Sequence, residues 1–457
     1  MEQSHVADRI IKGSGNILIT GSAGTGKTFL LRHIIAALRR EHSHAAIAVT
    51  AATGVAAMHI QGTTLNSFAG IGFGVRPGGS VEQLLQKVKR DKKVKANWKT
   101  VTHLIIDEIS MIDSDTFSLL DRVCRALKKR SKLPFGGVRL ILCGDFFQLP
   151  PVSLGHPSWP ENQDTMIDMG QRKRFAFECE TWKEASIEIS QLLETHRHHE
   201  DMEFADILRE FRLGSVSPGA IARLQECHVD HKPSNNEDGI EPSHLYCRNI
   251  DVDNENKSRL DALPGDVVTV TAHDSWIETP DVATRWDAEA REVEAPPAAV
   301  IKSAVTAIEK VAPSVVCLKV GAQVMLTKND HRNKLVNGSR GVVLSFFGGL
   351  PNVRFDNGVA LTIEEAIHEI PIGPDYAATL RRFQIPLKLA WALTVHKSQG
   401  STISKAEIMI SDAFAFGQVY VALSRVKSMK GLWIRGGEIT KRIVKVHPEV
   451  LKSFGDL

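Results

Sequence analysis

Eight consecutive residues, Gly21-Ser22-Ala23-Gly24-Thr25-Gly26-Lys27-Thr28, carry the plainest chemistry in the chain. Glycines at this spacing let the main chain curl so that successive N–H groups and a following helix N-terminus point at a phosphate. Lys27 adds a cation at the β- and γ-phosphates, and the Thr28 hydroxyl a ligand for Mg²⁺. A second constellation, Leu104-Ile105-Ile106-Asp107-Glu108, is an apolar run ending in two carboxylates. Behind a phosphate loop, the first acid suits the metal shell and the second suits a water that attacks phosphorus. Gln148 in Gly144-Asp145-Phe146-Phe147-Gln148 can hydrogen-bond a terminal phosphate from the edge of a sheet, although a solvated turn residue reads the same way. Arg197 and Arg425 are the remaining candidates. A guanidinium offered to a transferring phosphoryl group accelerates hydrolysis by roughly 10³ or more. Arginine is abundant on surfaces, so residue type alone favours reading each as a surface cation.

The elements that must hold these groups are legible as alternating patterns. Segments 17–20, 46–50, 103–106 and 139–143 are short buried strands separated by helical stretches, which predicts a parallel, doubly wound sheet. The phosphate loop then joins a strand to the helix beginning Phe29-Leu30-Leu31. Residues 72–99 interrupt the alternation with Arg76-Pro77-Gly78-Gly79 and the basic run from Lys87 to Lys95. A second α/β region begins near Ile187, with an amphipathic helix over 201–213 and a strand at 244–247. From Gly265 short strands follow one another with Gly/Asn turns, as in a small barrel or sandwich. The α/β character returns at Pro386, so the β module is an insertion.

The chain has 457 residues, enough for several domains, and ordinary globular proportions of apolar (43%) and charged (24%) residues. A formal charge of +3 gives no global field, so a polyanion must be held by local basic patches. Six scattered cysteines without metal-ligand spacing read as free thiols of a reducing compartment. No apolar run approaches membrane-spanning length, and the first residues do not read as a secretory signal.

Taken in order, the motifs resemble those of the superfamily 1 DNA helicases of the Pif type (petite integration frequency) over nearly the whole chain. The resemblance is carried by Thr50-Ala-Ala-Thr-Gly-Val-Ala-Ala57, by Gly62 to Gly72, by Asp107-Glu-Ile-Ser-Met111, and by Pro134 to Gly137. It continues through Gly144 to Val152, Phe175 to Glu178, and Thr181 to Lys183. In the second half Leu318 to Leu326, Leu335 to Gly338, Leu389 to Gly400 and Gly417 to Arg425 complete it. Two positions depart from the pattern: Asn66 where histidine is more frequent, and His198 where glutamine is usual.

What the resemblance implies is an α/β architecture of two RecA-like phosphate-loop domains. The first spans 1–71 and 100–185, with a small basic wedge over 72–99. The second spans 186–263 and 386–457 and carries an SH3-like β-barrel insertion over 264–385. It implies ATP and Mg²⁺ as cofactors, with Lys27, Asp107, Glu108, Gln148, Arg197 and Arg425 catalytic. Gly21 to Thr28 and Gly400 bind nucleotide, Gln3 reads the adenine edge, and Thr28 and Asp107 hold the metal. The implied partner is single-stranded DNA together with duplex or forked DNA, unwound 5′→3′ by a monomeric core, with G-quadruplex DNA and RNA–DNA hybrids left open. Thr53, Gly54, Thr64, Asn66, Ser67 and Phe68 on one side, with His396 and Lys397 on the other, are the expected DNA contacts. By residue type alone each Thr or Ser reads first as a helix cap. The basic run at 87–95 and Lys319, Lys328, Arg332 and Lys334 are further candidates. Eukaryotic members of the family work in nucleus and mitochondrion, and bacterial relatives imply cytoplasm. Two rivals stay open: another motor on the same core, as in RecD-like helicases, and a nucleotide-gated DNA-binding protein that does not unwind.

Overall fold

The computed structural model describes residues 3–72, 80–151, 174–232, 239–246, 249–278, 298–309, 311–330, 332–333, 335, 337–371, 378–395, 398, 401–410, 415–437 and 439–456. The chain divides into two compact units, residues 1–196 with 415–417 and 446–457, and residues 197–414 with 418–445.

In the first unit the apolar runs become strands β1 (Ile17–Gly21), β2 (Ile47–Ala51), β3 (Thr63–Thr64), β4 (His103–Asp107), β5 (Arg139–Cys143) and β6 (Glu188–Leu192). They form one parallel sheet in the order β3-β2-β4-β5-β1-β6. β1, β2 and β4 are buried at every position, as strands covered on both faces must be. The helices are α1 (Gln3–Lys12), α2 (Lys27–Glu41), α3 (Gly54–His59), α4 (Leu65–Ala69), α5 (Val81–Arg90), α6 (Lys92–Thr100), α7 (Ser114–Lys128) and α8 (Glu180–Glu184). α1 and α2 bury Val6, Ile10, Leu30, Leu31, Ile34, Ile35 and Leu38 against β1 and β2, which fixes the helix behind the phosphate loop to the sheet. At α7 the Asp113 carboxylate accepts from the Thr116 N–H at 2.8 Å, a local cap that sets where the helix starts.

Two features depart from the sequence reading, and a third adds a break it did not address. Residues 188–192, expected to open the second domain, pair in parallel with β1 from Ile17↔Glu188 to Gly21↔Leu192 and extend the first sheet. Residues 446–457, expected in the second domain, belong to the first unit, where Phe454 stacks on Phe146 with centroids 5.0 Å apart. The basic run from Lys87 is broken at Asp91, which ends α5 and accepts from Val94 N–H at 3.1 Å to start α6. A charge run carries no helix-length information, so that break was invisible.

The second unit contains α9 (Met202–Leu213), α10 (Pro218–Gln225), α11 (Asn249–Ala262), α12 (Ala298–Glu309) and α13 (Gln418–Leu423). Its parallel sheet joins β7 (Ser243–Tyr246) to later strands named below. Between them lie β8 (Val268–Thr271), β9 (His273–Glu278), β10 (Val315–Leu318), β11 (Gln323–Leu326), β12 (Arg340–Phe347), β13 (Leu350–Phe355), β14 (Ala360–Thr362), β15 (Ala366–Pro371), β16 (Ala378–Gln384) and β17 (Leu387–Leu389). These make antiparallel sheets ordered β14-β13-β12-β11-β17, β15-β16-β9 and β10-β8. Their core is Val324, Leu326, Val343, Val353, Phe355, Leu387 and Trp391 with neighbours. β18 (Ala392–Thr394), β19 (Ala406–Met409) and β20 (Leu432–Arg435) then complete the parallel sheet as β18-β7-β19-β20. Asp201 caps α9 through Phe204 N–H at 3.0 Å, and Ser217 caps α10 ahead of Pro218.

Candidate nucleotide and nucleic-acid site

β5 lies between β4 and β1, so the loops leaving those three strands share one edge of the sheet. Ligands of open parallel sheets gather at that C-terminal edge. The phosphate loop leaves β1 and ends at Gly26, which caps α2 with φ +77°, a left-handed conformation that glycine adopts without strain. Lys27 folds back over the loop and donates from Nζ to Gly21 O at 2.9 Å and to Ser22 O at 3.0 Å. The Thr25 hydroxyl donates to Ser22 O at 3.0 Å, so the loop is braced from inside.

Asp107 ends β4 and is buried. Burial pushes its carboxyl above the usual carboxylate range. That rise is opposed by the Glu108 N–H, which donates at 2.9 Å, by the Cys143 thiol of β5 and by the Lys27 charge. A buried carboxylate within reach of the Lys27 charge, driven toward protonation by desolvation, is an environment that a divalent cation would reverse. The donor set of one carboxylate and one hydroxyl fits such a hard ion. Glu108 has φ +55° and ψ +47°, left-handed for a residue with a Cβ. Such a conformation costs roughly 1–2 kcal/mol and persists only where its surroundings enforce it.

Gln148 follows β5 in the loop that begins at Gly144, whose N–H donates to Ile19 O of β1 at 3.1 Å. Its side chain is buried and its N–H donates to Asp145 O at 3.0 Å. The Phe146 ring two residues earlier anchors the loop among Phe175, Phe177 and Phe454. Gly417 (φ +69°) packs on the same loop so tightly that a Cβ there would lie 2.4 Å from Phe147 O and 2.6 Å from Gln148 O. Gln3, the first residue of α1, donates from Nε2 to Thr25 O at 2.9 Å. His196, which sequence reasoning passed over, donates its main-chain N–H to Gly24 O at 2.9 Å.

The two arginines come together in the second unit. Arg197 Nη1 donates to Ser424 O at 2.8 Å, and Arg425 Nη2 donates to the Ser424 hydroxyl at 2.7 Å. Burial and the like charge of Arg425 pull the Arg197 guanidinium down to about 9. Two cations held this close favour an anion beside them. His198 is buried and donates from Nε2 to Val426 O at 3.0 Å. Burial and the adjacent Arg197 bring its ring to about 4, so it stays neutral and works as a brace for the segment carrying Arg425. The departure from glutamine at 198 is thereby filled by a hydrogen bond of another kind.

The expected DNA contacts of the first unit follow β2 and β3. The Thr53 hydroxyl accepts from Ala56 N–H at 3.2 Å and caps α3, while a Cβ at Gly54 would meet nothing within 4 Å. Thr64 caps α4 without a side-chain bond, Asn66 is half-buried and Ser67 is exposed. Phe68 packs edge-on against the buried Trp98 at 5.1 Å, which ties α4 to α6. Lys319 is buried and donates to Leu263 O at 2.7 Å, a structural brace and not a surface cation. Lys328 donates to Ile367 O at 2.8 Å, and Arg332 is exposed. His396, Lys397, Gly400 and Lys334 lie outside the described residues. Among the described residues no cluster of His, Cys, Asp and Glu could hold a metal ion by itself, and no helix is long and apolar enough to cross a membrane.

Known proteins resemble the chain over nearly its whole length. The model of the PIF1-like helicase family matches residues 1–219, and that of the DNA helicase Pif1 2B domain matches 307–346. The chain is 38% identical to the ATP-dependent DNA helicase PIF1 of Danio rerio over 456 residues, covering 98% of this chain and 62% of that protein. It thus spans about three-fifths of the length of that curated relative. The crystal structure of the Pif1 helicase from Candida albicans superposes with a TM-score of 0.72 at 34% identity, covering 99% of this chain and 98% of that one. The Bacteroides Pif1 helicase in complex with ADP-AlF3 and ssDNA matches with a TM-score of 0.61 at 29% identity, over 100% of this chain and 96% of that one.

Proposed function

The chain belongs to the PIF1-like helicase family, and from that premise we propose that it is an ATP-driven helicase that moves 5′→3′ on single-stranded DNA and unwinds duplex or forked DNA. The observation that carries this reading is the shared sheet edge at which the phosphate loop of β1, the acids of β4 and the Gln148 loop of β5 emerge. The domain plan we adopt is two RecA-like domains with a basic wedge at 72–99 and a β insertion at 264–385.

Each side chain has a role in that proposal. The loop N–H groups and Lys27 bind the triphosphate, and the Gln3 amide faces the base. Thr28 and Asp107 would hold Mg²⁺, which neutralises charge on the β- and γ-phosphates. Glu108 takes the proton of the attacking water as its oxygen bonds to the γ-phosphorus and the bond to ADP breaks. Gln148 registers whether the terminal phosphate is present, and Arg197 and Arg425 stabilise charge on the phosphoryl group in transit. Loss of that phosphate leaves the two guanidiniums repelling each other, a two-state element that ligand charge biases. Thr53, Gly54, Thr64, Asn66 and Ser67, with His396 and Lys397, grip phosphates without reading sequence. Phe68 supports them through Trp98. Genome maintenance in nucleus or mitochondrion is the setting implied, with bacterial cytoplasm as the alternative.

The test is strand displacement on duplexes with a 5′ or a 3′ tail, alongside ATPase assays with and without oligonucleotide. Displacement of the 5′-tailed duplex alone, with DNA-stimulated turnover, is expected. ATPase activity without displacement on either tail would leave a nucleotide-gated DNA-binding protein instead.

A further inference from the structure

A glutamine amide has two N–H hydrogens and one carbonyl with which to read a nucleobase. In Gln3 both hydrogens have partners: Nε2 lies 2.9 Å from Thr25 O and 3.0 Å from His196 Nε2. A main-chain carbonyl only accepts, so it is the amide nitrogen that faces the loop. His196 Nε2 must then be the acceptor of the second hydrogen, with the ring proton on Nδ1. His196 is itself tied to the loop through its main-chain N–H to Gly24 O at 2.9 Å. The pair lies directly over Gly26, where an added Cβ would meet Gln3 Nε2 at 2.4 Å and His196 Cδ2 at 3.4 Å.

We infer that His196 is a positioning residue for base recognition: by engaging the second amide hydrogen of Gln3, it leaves only the Gln3 carbonyl to face the base. The base is then selected through a hydrogen-bond donor, the exocyclic amino group of adenine. The acceptor N7 goes unread, because no Gln3 hydrogen remains for it. This rests on the reading of residues 21–28 as the triphosphate site with Gln3 beside the base. A histidine does this where an aliphatic residue does not, because holding the amide in that rotamer takes an acceptor lone pair.

The experiment is equilibrium competition of a fluorescent ATP by three nucleotides: ATP, 7-deaza-ATP (lacking N7) and purine riboside triphosphate (lacking the 6-amino group). Wild-type protein should bind ATP and 7-deaza-ATP within about twofold and purine riboside triphosphate roughly threefold to tenfold more weakly, the worth of one neutral hydrogen bond. His196→Ala frees one amide hydrogen for N7, so 7-deaza-ATP should become roughly threefold to tenfold weaker than ATP. His196→Asn, which restores an acceptor, should return 7-deaza-ATP toward parity with ATP. A purely structural role for His196 would lower all three affinities together and leave their ratios unchanged, which overturns the proposal. So would a wild-type protein that already discriminates against 7-deaza-ATP. Gln3→Ala should erase the penalty on purine riboside triphosphate; if that penalty persists, Gln3 does not read the base and the inference falls. Lys27→Ala separates the two levels: retained nucleotide binding in that variant would defeat the site reading itself.

Discussion

Arg197 and Ser424 stand 227 positions apart in the chain and are joined by a 2.8 Å hydrogen bond from guanidinium to main-chain carbonyl. The Ser424 hydroxyl meanwhile accepts from Arg425 at 2.7 Å, so one serine sets the spacing of both cations. Arg197→Ala or Arg425→Ala should lower DNA-stimulated kcat by roughly 10³ with a modest change in ATP affinity. Steady-state ATPase titrations check this, and unchanged turnover would remove either residue from the mechanism. Ser424→Ala should give a smaller loss of kcat, since it withdraws one hydrogen bond of Arg425, keeps the one from its Nε to Val421 O at 2.9 Å, and leaves both charges.

The same pair sets an alkaline limit. The Arg197 guanidinium must be charged to meet a phosphate, and its burial beside Arg425 brings it to about 9. Because kcat/KM reports the free enzyme, it should fall as pH rises through about 9. Removing the like charge with Arg425→Gln should move that falling limb to higher pH, measurable on the residual activity.

Lys27 holds the carbonyls of Gly21 and Ser22 and is the loop's only cation. Lys27→Ala should abolish ATP hydrolysis and unwinding while single-stranded DNA binding, followed by fluorescence anisotropy, remains within a few-fold. Normal strand displacement by this variant would refute the proposed role.

Glu108→Gln keeps the shape and the backbone but loses the base. Turnover should fall by about 10²–10⁴, the usual worth of a positioned general base, while ATP binding persists. Single-turnover hydrolysis together with a binding titration separates the two.

His198 gives acid sensitivity with a definite sign. Its folded-state value near 4 lies below the ordinary 6.5, so the unfolded chain binds the proton first. The stability this neutral ring contributes is fully present above about 6.5 and is lost as pH falls toward 4, amounting to about 3 kcal/mol at the acid end. Thermal melts across that window should show it. His198→Gln, which can still donate to Val426 O, should flatten the dependence.

Much of this is legible in the amino-acid sequence. A glycine loop of fixed spacing, acids at the end of an apolar strand and four short apolar runs are local signals, and local signals survive in a sequence. The register of Glu188–Leu192 against β1 was not legible, because an edge strand in the first sheet and an opening strand in the second have the same composition. The return of Phe454 to Phe146 is a contact over a long chain separation that no periodicity announces. His198 read as a mismatch until its bond to Val426 was seen, and His196 carried no motif signal whatever. Lys319 looked like any other lysine; only its burial and its bond to Leu263 O withdraw it from the surface.

The left-handed main chain at Glu108 has an evolutionary corollary. Glycine would relax that backbone, so its substitution there should yield a sturdier but inert protein. Selection for robustness and selection for turnover therefore pull in opposite directions at this one position, and the acid persists only while the work it does is needed.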